Sequence, residues 1–484
     1  MSNEQNAPTA PDYPSIFASI FKANDVRGLV DGQLDDDVVA AVAAAYAAFV
    51  READGASSIV VGHDMRESSP VLARTFAQAA AAQGSDVVLV GFCSTDALYY
   101  ASGSLDLPGV MFTASHNPAG WNGMKLCRSG ARPVGMDSGL AAVRDDALAR
   151  LQAGAPAPSA TPGTIVERDI LADYAAHLRG LVPLSGRRLK VVVDAGNGMA
   201  GMTTPAVLGG AAGLPELPLD VVPLYFELDG TFPNHEANPL DPKNLLDLQA
   251  AVPAHGADLG LAFDGDADRC FVVDERGAVV TPSAVTALVA SREIAKEQAA
   301  GRPGTVIHNC ITSRVVPEVI AEAGGQAVRT RVGHAFIKVE MAARDAVFGG
   351  EHSAHYYFRD FWFADTGMLA ALHVLAALSE QDQPLSQLAS SFERYVASGE
   401  INSRVADVEA SVTGVEAVYA GRPGIEIDRL DGLTVSHAAA EDGPMWWFNL
   451  RASQTEPLLR LNAEAADEAT MARVRDEVLA LVRG

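Results

Sequence analysis

Ile59-Val60-Val61-Gly62-His63-Asp64-Met65-Arg66 is the stretch on which the fold turns, because an unbroken apolar run breaks off abruptly into a polar loop. A strand buried on both faces reads this way, and its neighbours supply the cover. Asp36 to Glu52 is helical in pattern, as is Pro70 to Gln83, and Val87 to Val90 is a second apolar strand. Asp35-Asp36-Asp37 places carboxylates where the start of the first helix favours negative charge. From Ile16 onward the chain therefore predicts strand, helix, strand, helix, strand. The first extended segment, from Ile16, ends on the turn Ile20 to Gly28 that carries Arg27. Continuous apolar strands alternating with helices point to a parallel sheet covered on both sides, and such sheets collect ligands at the carboxyl ends of their strands. Pro108-Gly109-Val110-Met111-Phe112 is another short strand, so the residues after it and the His63-to-Arg66 loop are candidates for one shared edge.

Working outward, Gln152 to Gly163, rich in Ala, Pro and Gly, predicts a linker. Leu189 to Asp194 is a strand running into the glycine turn Ala195-Gly196-Asn197-Gly198 and a helix, but its spacing is not that of a dinucleotide fingerprint. Leu259 to Phe263 and Cys270 to Asp274 are two more strands. A third α/β segment follows, with helices Ala284 to Gln298 and Arg314 to Ala323 and strands Thr305 to His308 and Val347-Phe348. The last part has strands Leu433 to Val435 and Trp446 to Leu450 ahead of a closing helix from Ala465, a grouping that indicates an α+β domain. The boundaries expected are 1–155, 156–280, 281–391 and 392–484.

At 484 residues the chain exceeds what one core encloses. Its 61 acidic against 36 basic residues, net −25, argue against broad binding to nucleic acid or an anionic membrane. The four cysteines, Cys93, Cys127, Cys270 and Cys310, lie far apart with no CxxC spacing, which speaks against a zinc site or a disulfide framework and fits a reducing cytoplasm. Met1 to Pro14 lacks a basic and an apolar region and predicts a flexible leader, and the alanine-rich run Val38 to Val50 is too short to span a bilayer.

Four stretches carry chemistry. Thr113-Ala114-Ser115-His116-Asn117-Pro118 offers a hydroxyl on a turn at a strand end, and Trp121-Asn122-Gly123-Met124-Lys125 predicts a second turn bringing a cation back to it. A hydrogen-bonded turn serine is the plain alternative. Asp264-Gly265-Asp266-Ala267-Asp268-Arg269 sets three carboxylates at alternate positions between two strands, where they need a hard divalent cation. Mg²⁺ fits best, because it takes few carboxylates together with phosphate oxygen. An EF-hand fails there: Arg269 stands where that loop needs glycine, and both flanks are strands. A dehalogenase-type aspartate nucleophile lacks its following hydroxyl residue, and a solvated acidic turn is the remaining alternative. Gly350-Glu351-His352-Ser353-Ala354-His355 gathers carboxylate, hydroxyl and imidazole groups suited to sugar hydroxyls and proton transfer, with His352 read as a packed structural histidine. Arg331 to Lys338 adds His334 on a glycine turn. Arg451-Ala452-Ser453-Gln454-Thr455-Glu456-Pro457, with Arg460, has the donors of a phosphate nest, or else of a helix N-cap.

In that order and spacing, TASHNP, DGDADR, GEHSAH and RASQTEP resemble the α-D-phosphohexomutase superfamily, its phosphomannomutase/phosphoglucomutase branch above all, from Ile16 to the end. The resemblance implies four domains around a central cleft, three related α/β domains with mixed sheets plus a C-terminal α+β domain. It implies a phosphoserine at Ser115, with Asp264, Asp266 and Asp268 binding Mg²⁺ together with its phosphate. Lys125, Arg27 and His116 would lie near the transferring group, and Arg269 beside the metal loop. Glu351 and Ser353 would grip sugar hydroxyls, with His355 as general acid/base and His334 lining the sugar site. Arg451, Ser453, Gln454 and Thr455 would hold the non-reacting phosphate. The implied reaction interconverts hexose 6- and 1-phosphates through a hexose 1,6-bisphosphate, which also serves as activator. Mannose phosphate is the favoured substrate and glucose phosphate the alternative; a sugar phosphatase or a non-catalytic sugar-phosphate sensor are the readings from other classes. A cytoplasmic monomer or small homo-oligomer, with water shut out by closure of the C-terminal domain, completes the expectation. Three positions depart from the pattern: Gln454 stands where Asn or Gly is usual, Asn24 where Tyr is common, and Asn309 to Thr312 hold no lysine.

Overall fold

The computed structural model describes residues 11–154, 158–439, 443–452 and 458–484. Ser453, Gln454 and Thr455, the first ten residues of the expected leader and residues 155–157 of the expected linker lie outside them. The chain packs as two compact units, one built of residues up to Pro183 with Val193–Asp247 and Ala262–Asp268, the other of Leu184–Val192, Leu248–Leu261 and Arg269 to the end.

The first sheet contains β1 (Val26–Leu29), β2 (Ser58–His63), β3 (Asp86–Phe92), β4 (Gly109–Phe112), β5 (Trp121–Arg128), β6 (Arg132–Pro133) and β7 (Ile165–Glu167), in the order β1-β5-β4-β2-β3-β7 with β6 paired to β5. β2, β3, β4 and β7 run parallel, whereas β5 is antiparallel to both β4 and β1. The sheet is therefore mixed where the apolar runs alone pointed to a parallel one. The reason is the short Thr113–Gly120 connection, which has no room for the helical crossover that parallel strands require. For the same reason Trp121–Lys125 is not a turn. Asn122-Gly123 sits inside β5, and a Cβ at Gly123 would lie 2.2 Å from the Val26 carbonyl, so glycine is there for close strand approach.

The N-terminal segment also differs from the expected strand: Tyr13–Ile20 is a helix. Asp12 caps it by accepting from the Ser15 amide, Pro14 sits in its first turn, and Phe17 and Ile20, one turn apart, face the core. The helix Asp36–Asp54 is capped by Asp35 and ended by Gly55 in the left-handed region, and its small apolar residues from Val38 to Val50 pack beneath the sheet.

Four further elements make the second sheet: β8 (Leu189–Asp194), β9 (Leu219–Leu224), β10 (Leu259–Phe263) and β11 (Cys270–Asp274), with the short β12 (Val279–Val280), ordered β12-β11-β10-β8-β9. The third comprises β13 (Thr305–Asn309), β14 (Gln326–Thr330), β15 (Phe348–Gly350), β16 (Tyr356–Phe358) and β17 (Ala364–Asp365), parallel around β13 and antiparallel from β15 to β17. The last sheet is wholly antiparallel: β18 (Val396–Arg404), β19 (Ile425–Asp428), β20 (Leu433–His437), β21 (Trp446–Ala452) and β22 (Leu458–Ala465). Its closing helix spans Glu468–Arg483 rather than starting at Ala465, because Ala465 still pairs in the sheet and Asp467 provides the cap. No helix among the described residues is long and apolar enough to cross a membrane.

Candidate active site

Register assembles the residues around Ser115. Parallel pairing of His63 with Phe112 makes the loops after β2 and β4 leave the same sheet edge, as expected. Antiparallel pairing then sets Lys125 opposite Met111 and Arg27 opposite Gly123, so both cations stand beside the Ser115 loop. Ser115 is buried and holds φ of 50°, a left-handed conformation that a non-glycine residue adopts only when its surroundings impose it. Its amide donates to Thr113 Oγ1 at 2.8 Å, its hydroxyl donates to Asp264 Oδ2 at 3.0 Å, and His116 Nδ1 lies 3.2 Å from that hydroxyl. Arg27 donates to Asn117 Oδ1 at 2.7 Å and to Asp25 at 2.5 Å.

Asp264, Asp266 and Asp268 are buried, and one carboxylate oxygen from each lies within 4.8 Å of the others. Lys125 Nζ donates to Asp266 Oδ2 at 2.6 Å and to Asp268 Oδ2 at 2.5 Å, and Thr95 Oγ1 donates to Asp266 Oδ2 at 2.6 Å. Burial and the Asp268 charge oppose ionisation of Asp266, but the Lys125 ammonium and the hydrogen bonds from Lys125 and Thr95 prevail and hold its carboxyl below the usual range. Asp266 Oδ1 is buried with no hydrogen-bond donor. Three buried carboxylates with one oxygen each within 4.8 Å, and an Asp266 oxygen that no donor reaches, are what a hard divalent ion satisfies, so the donor set fits such an ion. Gly265 is required sterically: a Cβ there would lie 2.5 Å from the Ser115 carbonyl oxygen. Asp194, buried, pairs with His235 Nε2 at 3.0 Å in the neighbouring loop.

The remaining predicted residues lie in the other unit. Glu351 is buried and accepts from Asn309 Nδ2 at 3.1 Å, the Gly333 amide at 3.2 Å and Tyr357 Oη at 2.7 Å. His355 Nδ1 is 3.1 Å from Ser353 Oγ and 3.8 Å from Glu351, and its Nε2 is 4.0 Å from Asp365, which pairs at 2.7 Å with the buried Lys338. Arg269, buried, forms an isolated strand bridge with His355. His352 Nδ1 lies 3.3 Å from Ser283 Oγ, and burial lowers its pKa. His334 starts the helix His334–Arg344; its side chain is not among those described. Arg451, at the end of β21, is loosely paired, 3.5 Å from Asp431 and 3.8 Å from Glu400, while Ser453, Gln454 and Thr455 are outside the described residues.

Sequence reasoning missed several partners. Thr95, Asn309, Tyr357 and Asp431 lie outside the four motifs, and only pairing brings them in; Asn117 lies inside the serine motif, but its role as acceptor for Arg27 shows only in the fold. Arg66 had a signal, an Asp-x-Arg directly after a strand.

Four domain profiles match this chain in order: phosphoglucomutase/phosphomannomutase alpha/beta/alpha domain I over residues 18–145, domain II over 172–277, domain III over 281–395 and the C-terminal domain over 400–481. The chain belongs to the phosphoglucomutase/phosphomannomutase family. It is 39% identical over 468 residues to "Phosphohexose mutases" of Xanthomonas campestris pv. campestris, covering 96% of this chain and 99% of that relative. It is 37% identical to "Phosphomannomutase" of Salmonella typhimurium, covering 95% and 97% of the two chains. A crystal structure of a phosphoglucomutase/phosphomannomutase family protein from Burkholderia thailandensis superposes with a TM-score of 0.83 at 29% identity, over 96% of this chain and 97% of that one. The chain is thus a phosphohexomutase-family enzyme, and the four stretches TASHNP, DGDADR, GEHSAH and RASQTEP fall one in each matched segment.

Proposed function

We propose that this phosphohexomutase interconverts mannose 6-phosphate and mannose 1-phosphate through a phosphorylated Ser115 and a hexose 1,6-bisphosphate intermediate, which also primes the enzyme. The observation that carries the reading is the Ser115 hydroxyl 3.0 Å from Asp264, beside a buried carboxylate trio that already holds Lys125. Ser115 passes its phosphoryl group to the free hydroxyl of the substrate, the bisphosphate turns over, and the other phosphoryl returns to Ser115. Arg27, Lys125 and His116 neutralise charge on the moving group, and positioning supplies most of the acceleration. Asp264, Asp266 and Asp268, with the Ser115 phosphate, would hold Mg²⁺, whose chemistry when bound is neutralisation of phosphoryl charge. Glu351 and Ser353 hold sugar hydroxyls with His334 beside them, and His355 moves the hydroxyl proton. Arg269 supports the metal loop, and Arg451, Ser453, Gln454 and Thr455 take the distal phosphate. The names of the Salmonella and Xanthomonas relatives support mannose phosphate within a broader hexose range.

The test is a coupled assay of mannose 1-phosphate and glucose 1-phosphate side by side, with Mg²⁺ and catalytic glucose 1,6-bisphosphate. A kcat/KM higher for the mannose compound supports the reading. Preference for glucose reassigns the substrate, and steady release of inorganic phosphate with no 6-phosphate sugar makes the enzyme a phosphatase.

A further inference from the structure

Arg66 stands outside every role assigned above, yet its guanidinium donates to four backbone carbonyls in and just after the serine loop. Nη2 donates to the Ser115 carbonyl at 2.8 Å and the Asn117 carbonyl at 2.6 Å, and Nη1 donates to the Pro118 carbonyl at 2.8 Å and the Trp121 carbonyl at 3.0 Å. The residue is 1% exposed. Its own orientation is fixed from behind. Asp64, fully buried, accepts from the Arg66 amide at 3.0 Å and from Ser69 Oγ at 2.6 Å, and its Oδ2 lies 3.3 Å from Arg66 Nε. The Phe232 ring covers the guanidinium, 5.1 Å from centroid to Cζ, and a Cβ on Gly230 would come within 2.6 Å of the Arg66 Cα, so the 230–232 loop closes directly over it.

We propose that Arg66 is the positioning residue of the phosphoserine loop, fixing the left-handed Ser115 so that its hydroxyl meets Asp264 while the loop carbonyls face away from the phosphoryl group. The inference rests on the Ser115 reading above. A turn whose carbonyl dipoles are free to rotate would present partial negative charge to a phosphate dianion. Collected on one guanidinium, those oxygens are spent on Arg66. The Ser115 carbonyl is the pivot, because Arg66 holds it from one side and Gly265 of the carboxylate loop abuts it from the other. Only a planar fork reaches four acceptors at once; an ammonium carries the same charge but is a point donor, so lysine keeps the charge and loses the geometry.

The experiment compares wild type, R66K, R66M and S115A, each in Mg²⁺, charged with glucose 1,6-bisphosphate labelled in phosphorus. Wild type that takes up no label on Ser115 overturns the Ser115 reading itself, whatever Arg66 does. With label present in wild type and absent from S115A, R66K is expected to lose about 100-fold in kcat, as a misplacement of about 1 Å does, with KM within about threefold. Its labelled enzyme should also lose phosphate to water faster relative to isomerisation. R66M should resemble R66K if geometry rather than charge matters. The proposal is overturned by R66K with wild-type kcat and a wild-type ratio of phosphate release to isomerisation. It is equally overturned if kcat falls only in proportion to the fraction unfolded in a urea melt, which is what a merely structural role produces.

Discussion

The residues around Ser115 and the predicted residues of the other unit hold their charges differently. Around Ser115 the charges are held at short range: Lys125 sits 2.5 and 2.6 Å from two buried carboxylates, and Ser115 itself 3.0 Å from a third. In the other unit Glu351 is locked by three donors and Asp365 pairs with the buried Lys338 at 2.7 Å, while among the described residues Arg451 stands 3.5 and 3.8 Å from Asp431 and Glu400, at distances where an ion pair is weak. On the function proposed above, the contrast separates two tasks. Groups that stabilise a transferring phosphoryl act best when they do not reorganise. A group that receives a substrate phosphate must instead exchange its resting partners for the ligand, and long contacts make that exchange easy.

The comparison breaks first at Ser115. S115A is expected to lower kcat by about 10⁴-fold or more while leaving substrate affinity nearly intact, measured by steady-state rates and by calorimetric binding. Next, K125M leaves Asp266 and Asp268 buried without their ammonium and should cost about 3 kcal/mol in urea unfolding without metal, with partial recovery on adding Mg²⁺. Loss of that size with no recovery would mean the carboxylates are not an ion site. In the other unit, R451A should raise KM about 30-fold with kcat changed less than about threefold, the value of one charge-assisted phosphate contact. A matching fall in kcat would mean that Arg451 is as much part of the reaction centre as Lys125.

How much of this was legible follows from where the information is stored. The clustering of Asp264, Asp266 and Asp268 is legible because the three carboxylates lie within five residues, and the place of Ser115 because a strand and an Asn-Pro pair bracket it. The strands and helices flanking them were readable for the same local reason, as apolar period and caps. The misread places share the opposite trait. Asn122-Gly123 carries a turn signal that tertiary pairing overrules, since the glycine serves the Val26 carbonyl. Tyr13–Ile20 mixes extended-looking residues with a cap at Asp12 that only counts once a helix is considered. Thr95 and Asp266 are 171 residues apart, and nothing short of the assembled unit puts one oxygen against the other. Asp431, in the turn before β20, similarly meets Arg451 near the end of the neighbouring β21.

The smallest effect should come from the rim of the Ser115 surroundings, where His235 meets Asp194 at 3.0 Å. Burial pushes the imidazole pKa down, but the hydrogen bond and charge of Asp194 outweigh it, so the folded value lies above the ordinary one. A group whose folded pKa is raised adds stability that is complete below its unfolded pKa and disappears as pH climbs through the folded value. Wild type should therefore lose urea resistance between about pH 6 and the alkaline side of neutrality relative to H235N, which keeps a polar side chain but has no proton to lose there. Parallel profiles for the two proteins would show that the imidazole is held neutral and that the lock around the carboxylate loop depends on hydrogen bonds alone. A wild-type profile that falls away from H235N would show that ionic pairing extends one loop beyond the carboxylates, and the limit of the tightly held charges would then be drawn outside Asp194.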